Sequence, residues 1–230
     1  MTSKENTPFS TLYQDFYFSK AGGLKECEHV FLNPNRISER LQNESLVRIA
    51  ELGFGTGLNF FSTWKLIAEK DQGSSFYFSV DETILKKNDR SKLQVQFPEL
   101  SEYIELFEHL LLDNPFTTGW NKFTVHSKLT LYLFWGDVLN FLRTLPDLES
   151  MAQEKINAWF LDGFAPSRNP AMWSEAVLAG VDYHSKFGTT FGTYTSASEV
   201  RKTLVKFGFK VEKIKGFAGK RESLIGLKDA

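Results

Sequence analysis

Between Leu46 and Ile67 the chain passes from a short apolar run, Leu46-Val47-Arg48-Ile49-Ala50, through Glu51 into Gly53-Phe54-Gly55-Thr56-Gly57. It leaves in Leu58-Asn59-Phe60-Phe61-Ser62-Thr63-Trp64-Lys65-Leu66-Ile67. Glycines at alternate positions let the backbone turn tightly between a strand and a helix. The segment therefore predicts a strand, a glycine turn and a helix, the opening of a βαβ unit. In such a turn the helix amides and a nucleoside-type ligand can come close.

The remainder repeats the alternation. Residues 75–80 read as the next strand, closed by Asp81, and 98–112 carry apolar residues at helical spacing. Residues 123–125 and 129–135 alternate as strands do, and Gly136-Asp137 ends the second; Asp137 can cap a helix running to about residue 145. Residues 157–161 form a further parallel-strand candidate ending in Asp162, and a helix is expected around 172–178. A strand at 189–195, a helix at about 196–207 and two strands at 209–214 and 222–227 complete the pattern. This predicts an α/β, Rossmann-like fold, a mostly parallel sheet ending in an antiparallel C-terminal hairpin. Before it, 11–19 and 27–32 look extended around Gly22-Gly23, so residues 1–40 are expected to be an N-terminal β extension to a single unit over 41–230.

No apolar stretch reaches the roughly 18 residues of a membrane span, and the first twenty residues lack the basic tip and apolar run of a secretion signal. The lone Cys27 cannot close an internal disulfide, and His29, His109, His126 and His184 lack metal-ligand spacing. A cytoplasmic protein without a metal site is expected. Charge is uneven: from Arg201 to Lys228 nine Lys or Arg stand against Glu212 and Glu222. That net +7 leaves −8 on the rest of a chain whose total is −1. Such a region suits a phosphate backbone, or else is a solvated face.

The glycine turn narrows the ligand. A dinucleotide fingerprint needs a further glycine at position 58, where this chain has Leu58. A compact turn that need not seat a pyrophosphate suits the amino-acid portion of S-adenosylmethionine; the alternative is a βα turn without ligand. Asp81, 28 residues after Gly53, stands where a carboxylate can accept both ribose hydroxyls, and Asp137 could face the adenine amino group. Either can instead be a cap or turn residue. After the fourth strand, Asp162-Gly163-Phe164-Ala165-Pro166-Ser167-Arg168-Asn169-Pro170 places an acid, an aromatic and a proline together. Asp162 can hold or deprotonate an ammonium, and Phe164 can offer its face to a cation or base. The bland alternative is a tight connection.

At these segments a family resemblance becomes specific. Residues 15–19, 30–32, 51–60, 159–173, 194–197 and 215–222 resemble, in order, the methyltransferase half of the bacterial tRNA 5-methylaminomethyl-2-thiouridine biosynthesis proteins. The resemblance implies a class I S-adenosylmethionine-dependent fold and N-methylation of the 5-aminomethyl group on the wobble (2-thio)uridine of tRNA. It implies cofactor contacts at Glu51, Gly53, Gly55, Gly57, Asp81, Gly136 and Asp137, and Asp162 and Phe164 beside the amine. With the basic region it points to Lys215, Lys220 and Arg221 as contacts to tRNA near its anticodon. The flavin oxidoreductase half of the long members is expected to be absent, a separate flavin oxidoreductase acting upstream. Three departures are that Asp81 stands where the family usually shows Glu, Phe187-Gly188 where a glycine pair is usual, and Gly219 where a basic residue is usual. The competing readings are a methyltransferase for a small amine or protein, a non-catalytic binding module and, further off, a nicotinamide oxidoreductase.

Overall fold

A computed structural model describes residues 8–11, 13–19, 22–83, 87–145, 155–219 and 221–229. Its start departs from the sequence reading. Two short strands, β1 (Phe9–Ser10) and β2 (Asp15–Phe16), pair antiparallel, but the stretch 27–32 is helical rather than extended. There α1 (Gly23–Cys27) runs directly into a π-helical turn, Glu28–Leu32. The reason is tertiary: Cys27, Val30 and Phe31, three and four residues apart, are buried together against the main sheet. A Cβ on Gly192 would stand 2.0 Å from the Val30 carbonyl oxygen, so the helix lies on the sheet only because residue 192 is glycine. Asn35 then pins the segment: its Nδ2 donates to the Phe31 and Trp159 carbonyls (2.9 and 3.1 Å) and its Oδ1 accepts from the Thr190 hydroxyl (2.8 Å).

After α2 (Ile37–Asn43) come β3 (Leu46–Leu52), α3 (Leu58–Lys70), β4 (Ser74–Asp81), α4 (Lys87–Gln96), α5 (Ser101–Asp113), β5 (Gly119–His126) and β6 (Leu129–Trp135). The chain continues through α6 (Val138–Thr144), β7 (Ile156–Leu161), α7 (Glu175–Tyr183), β8 (Ser185–Thr193), α8 (Ser198–Lys206), β9 (Phe209–Lys215) and β10 (Glu222–Lys228). The main sheet has the order β5-β6-β4-β3-β7-β8-β10-β9. Its five central strands are parallel; β5 at one edge is antiparallel to β6, and at the other β10 is antiparallel to both β8 and the edge strand β9. The α/β alternation and the C-terminal hairpin are as the sequence reading has them; α2 and α4 were not foreseen.

Apolar layers cover both faces of the sheet. In β3 the side chains alternate: Val47 and Ile49 face the layer under α3, Ala50 and Leu52 the opposite one. Position 51 continues the Val47–Ile49 face, so a carboxylate arrives beneath the start of α3. Strand order reverses at β3, with β4 on one side and β7 on the other, and the turns after β3 and β7 meet at this switch point.

Candidate active site

The switch-point turns approach closely because Gly53 carries no side chain. With φ of 93°, a Cβ there would lie 3.1 Å from the Asp162 carbonyl oxygen. Gly53 and Phe54 N–H both donate to the Val80 carbonyl, and Gly55 N–H donates to Asp81 Oδ2 at 2.7 Å, so β3, β4 and the turn are one hydrogen-bonded unit. Gly55 (φ 54°) faces the Tyr17 ring, whose nearest carbon would be 3.1 Å from an added Cβ.

At the carboxyl ends of these strands opens a cavity of about 440 Å³. Gly53, Gly55, Asp81, Gly136, Asp137, Asp162 and Phe164 all line it, brought together from the ends of separate strands. Among the described lining residues are six carboxylates, Asp15, Glu26, Asp81, Glu82, Asp137 and Asp162, and no Lys, Arg or His. The cavity is thus electrostatically suited to cations.

Glu51 and Gly57 do not line the cavity. Gly57 is the residue before α3, with φ of 77°, where a Cβ would sit 2.8 Å from the Phe61 ring. Glu51, 1% exposed, lies behind the wall. Its Oε2 accepts from the Ser79 hydroxyl (2.8 Å) and its Oε1 from Asn59 Nδ2 (2.9 Å). The same Asn59 nitrogen donates to Asp162 Oδ2 at 2.8 Å, and Asp162 Oδ1 accepts from Gly163 N–H at 2.8 Å. Burial, then the nearby Asp162 charge, pushes the Glu51 carboxyl up to about 8. Burial also raises Asp81, partly offset by N–H donors from Thr83 and Gly55.

The other acids already have local partners. Asp81 Oδ1 accepts from Thr83 N–H and hydroxyl (2.8 and 3.0 Å), and Asp137 Oδ1 caps α6 through Leu139 and Asn140 N–H (2.9 and 3.0 Å). Capping does not spend Asp137's second oxygen, and the residue still lines the cavity. Opposite, Phe164 is stacked by Tyr13 (centroids 4.5 Å, 23°) and met edge-on by Tyr17 (5.2 Å, 65°), while the Tyr194 hydroxyl donates to the Gly163 carbonyl at 2.5 Å. Asn59, Tyr13, Tyr17, Glu26 and Tyr194 were not singled out from sequence. The available signals were the polar Asn59 in an otherwise apolar first turn of α3 and the aromatic density of residues 13–18.

Lys215 and Arg221 are exposed and stand outside the cavity, and Lys220 lies outside the described residues. Since β10 runs antiparallel to β8, and Lys215 pairs with Glu222, both sit at the sheet edge where the parallel strands end. Much of the other C-terminal charge is neutralised. Lys202 pairs with Glu199, Lys206 with Glu175, Lys213 with Glu222 and Lys228 with Asp182, at 2.5 to 2.9 Å. Among the described residues no helix is long and apolar enough to cross a membrane.

Residues 88–229 match the family of S-adenosyl-L-methionine-dependent methyltransferases. The chain is 44% identical over 225 residues to the tRNA 5-methylaminomethyl-2-thiouridine biosynthesis bifunctional protein of Leptospira borgpetersenii, covering 96% of this chain and 33% of that protein. With the protein of the same description from Legionella pneumophila it shares 40% over 236 residues, 96% of this chain and 35% of the other. The chain therefore spans about a third of the length of these curated relatives. Among solved structures, that of MNMC2 from Aquifex aeolicus superposes with a TM-score of 0.74 at 25% identity, covering 97% of this chain and 67% of the other.

Proposed function

Since this chain belongs to the S-adenosyl-L-methionine-dependent methyltransferase family, we propose that its methyl acceptor is the 5-aminomethyl nitrogen of the wobble uridine or 2-thiouridine in tRNA. The product is 5-methylaminomethyl-(2-thio)uridine. One observation carries this reading: Asp162 opens onto a cavity beside the glycine turn whose described charged groups are all acids. Such a cavity attracts an ammonium and repels a phosphate. The names of the relatives from Leptospira and Legionella support the tRNA nucleoside as the carrier of that amine.

The cavity fits the methyl donor, which is itself cationic. Its volume lies in the range of small-molecule sites, and Gly53 and Gly55 keep side chains out of the wall. Asp81, Gly136 and Asp137 are the residues that hold the nucleoside end, and the glycine turn the amino-acid end; Glu51 supports that wall from behind through Asn59. Bound there, S-adenosylmethionine supplies an electrophilic methyl group. Asp162 orients the substrate ammonium and accepts its proton, freeing the nitrogen lone pair. Phe164 walls the amine and presents its ring to the cation or base. In-line transfer depends chiefly on this positioning.

Lys215, Lys220 and Arg221 contact phosphates around the anticodon outside the cavity, and residues 1–40 extend the 41–230 unit. A flavin-dependent oxidation acting upstream supplies the amine. The deciding experiment is to incubate the protein with labelled donor and tRNA from cells lacking the modification, then digest to nucleosides. Label in 5-methylaminomethyluridine is the expected result; tRNA left unlabelled, with label entering a protein or small amine, overturns it.

A further inference from the structure

We propose that Asn59 is a positioning residue for methyl transfer, holding the Asp162 carboxylate with one amide hydrogen and tying it to the buried Glu51 with the other. The inference rests on Asp162 being the group that meets the amine. Asn59 is the second residue of α3, 7% exposed, and lines the cavity. Its nitrogen lies 2.9 Å from Glu51 Oε1 and 2.8 Å from Asp162 Oδ2. A carboxamide nitrogen has two hydrogens and accepts nothing, so both are committed to these two oxygens. The flipped amide would set its oxygen against the Asp162 carboxylate.

Neither end of this bridge is free to swing. Glu51 is fixed on its far side by the Ser79 hydroxyl, and Ser79 faces Glu51 across the β3–β4 register. Asp162 is held on its other oxygen by Gly163 N–H. The carboxylate plane is thereby set by donors from two different elements while the residue still opens onto the cavity. Among the titratable groups that interact with Asp162 are Glu51 from β3, Cys27 from α1, Tyr77 from β4 and Tyr194 after β8, and Asp15 and Glu26 share the cavity wall. The Asn59 amide and Gly163 N–H are donors that favour the ionised form of Asp162 over the protonated one.

The test compares Asn59→Leu, which removes both donors at similar volume, with Asn59→Ser, which retains one hydroxyl donor. Two readouts are taken on the full chain. Carboxyl carbon NMR, assigned with Asp162→Asn, follows the titration of Asp162; single-turnover methylation of aminomethyl-bearing tRNA is followed across pH. A lost hydrogen bond to an ionised group corresponds to about one to two pH units. The Asp162 midpoint should rise by that amount in Asn59→Leu, a tenfold to hundredfold change in proton affinity, and by less in Asn59→Ser. Methyl transfer should fall about tenfold or more at neutral pH and recover as pH rises, with donor affinity within about threefold of the parent. If Asn59→Leu does not melt cooperatively, Asn59→Ser decides. An Asp162 midpoint unmoved in a folded variant, or a rate loss explained wholly by donor affinity, overturns the proposal. A parent chain that methylates no tRNA would instead defeat the functional reading, and the carboxyl titration would still decide whether Asn59 governs Asp162.

Discussion

Glu51 makes stability depend on pH in a direction opposite to that of ordinary surface acids. Its carboxyl is raised from 4.5 to about 8 by burial and by Asp162. Between those values the native state keeps a proton that the unfolded chain has released, so stability is full below about pH 4.5 and falls as pH rises towards 8. At 1.36 kcal/mol per pH unit the loss approaches about 5 kcal/mol, and relaxation around the charge reduces it to about 2 to 5 kcal/mol. Glu51→Gln removes the titration while keeping the volume and an acceptor for Asn59. The two proteins should be equally stable near pH 5, and the variant should be the more stable at pH 8.5. For a chain of this length the difference corresponds to about 5 to 15 °C in melting temperature. Taking the difference between parent and variant cancels other titrations, including His184, which burial lowers and which acts with the opposite sign. Thermal melts of the ligand-free proteins at half-unit intervals between pH 5 and 8.5 provide the measurement. Parallel curves would refute the reasoning, because they would mean that Glu51 is ionised in the folded protein.

Asp162→Asn keeps the shape and removes the charge. Single-turnover methyl transfer should fall about a hundredfold or more, with donor affinity within a few fold and the deficit shrinking as pH rises and more neutral amine is present; normal turnover would reassign the residue. Asn35→Ala strips donors from the Phe31 and Trp159 carbonyls and an acceptor from Thr190. It should cost about 1 to 3 kcal/mol, read as a melting temperature lower by about 2 to 10 °C. Lys215→Ala with Arg221→Ala should flatten the log-log dependence of tRNA affinity on salt by about 0.7 to 0.9 for each phosphate no longer neutralised. An unchanged slope would make these residues a solvated face.

Legibility in the sequence followed how local the cause was. The β3 turn and α3 could be read because the glycines and the following apolar helix are contiguous, and the Asp137 cap because its acceptor and donors lie within three residues. The helical fold of 27–32 was hidden because what decides it is Gly192, far along the chain, whose missing side chain admits the Val30 carbonyl. The same limit applied to Glu51. Its place in a strand was clear, but that its face turns inward under Asn59, away from the cavity, depends on the register of β3 with β4 and on where α3 begins. The charge surplus of residues 201–228 is legible in the sequence, but how much of it is already paired is not. Its partners Glu175 and Asp182 lie on α7, distant in sequence, and Glu199 just before residue 201.

The division of charge between cavity and rim constrains how a polyanion could present an amine. Six carboxylates in the wall repel any phosphate that enters, whereas an ammonium in contact with Asp162 feels an attraction that solvent screens poorly. At physiological ionic strength the repulsion fades over about 8 Å. On the proposed function, the favourable arrangement keeps the backbone outside, on Lys215 and Arg221 at the strand ends, and sends only the base and its aminomethyl arm inward. A base in a duplex would have to be unpaired and unstacked to make that excursion, at a cost of a few kcal/mol. A loop nucleotide is already free to splay out and stack on an aromatic ring. With Phe164 and Tyr13 flanking the cavity, the electrostatics thus favour a single-stranded loop over a helical stem as the carrier of the amine, and the wobble position of an anticodon loop is such a site.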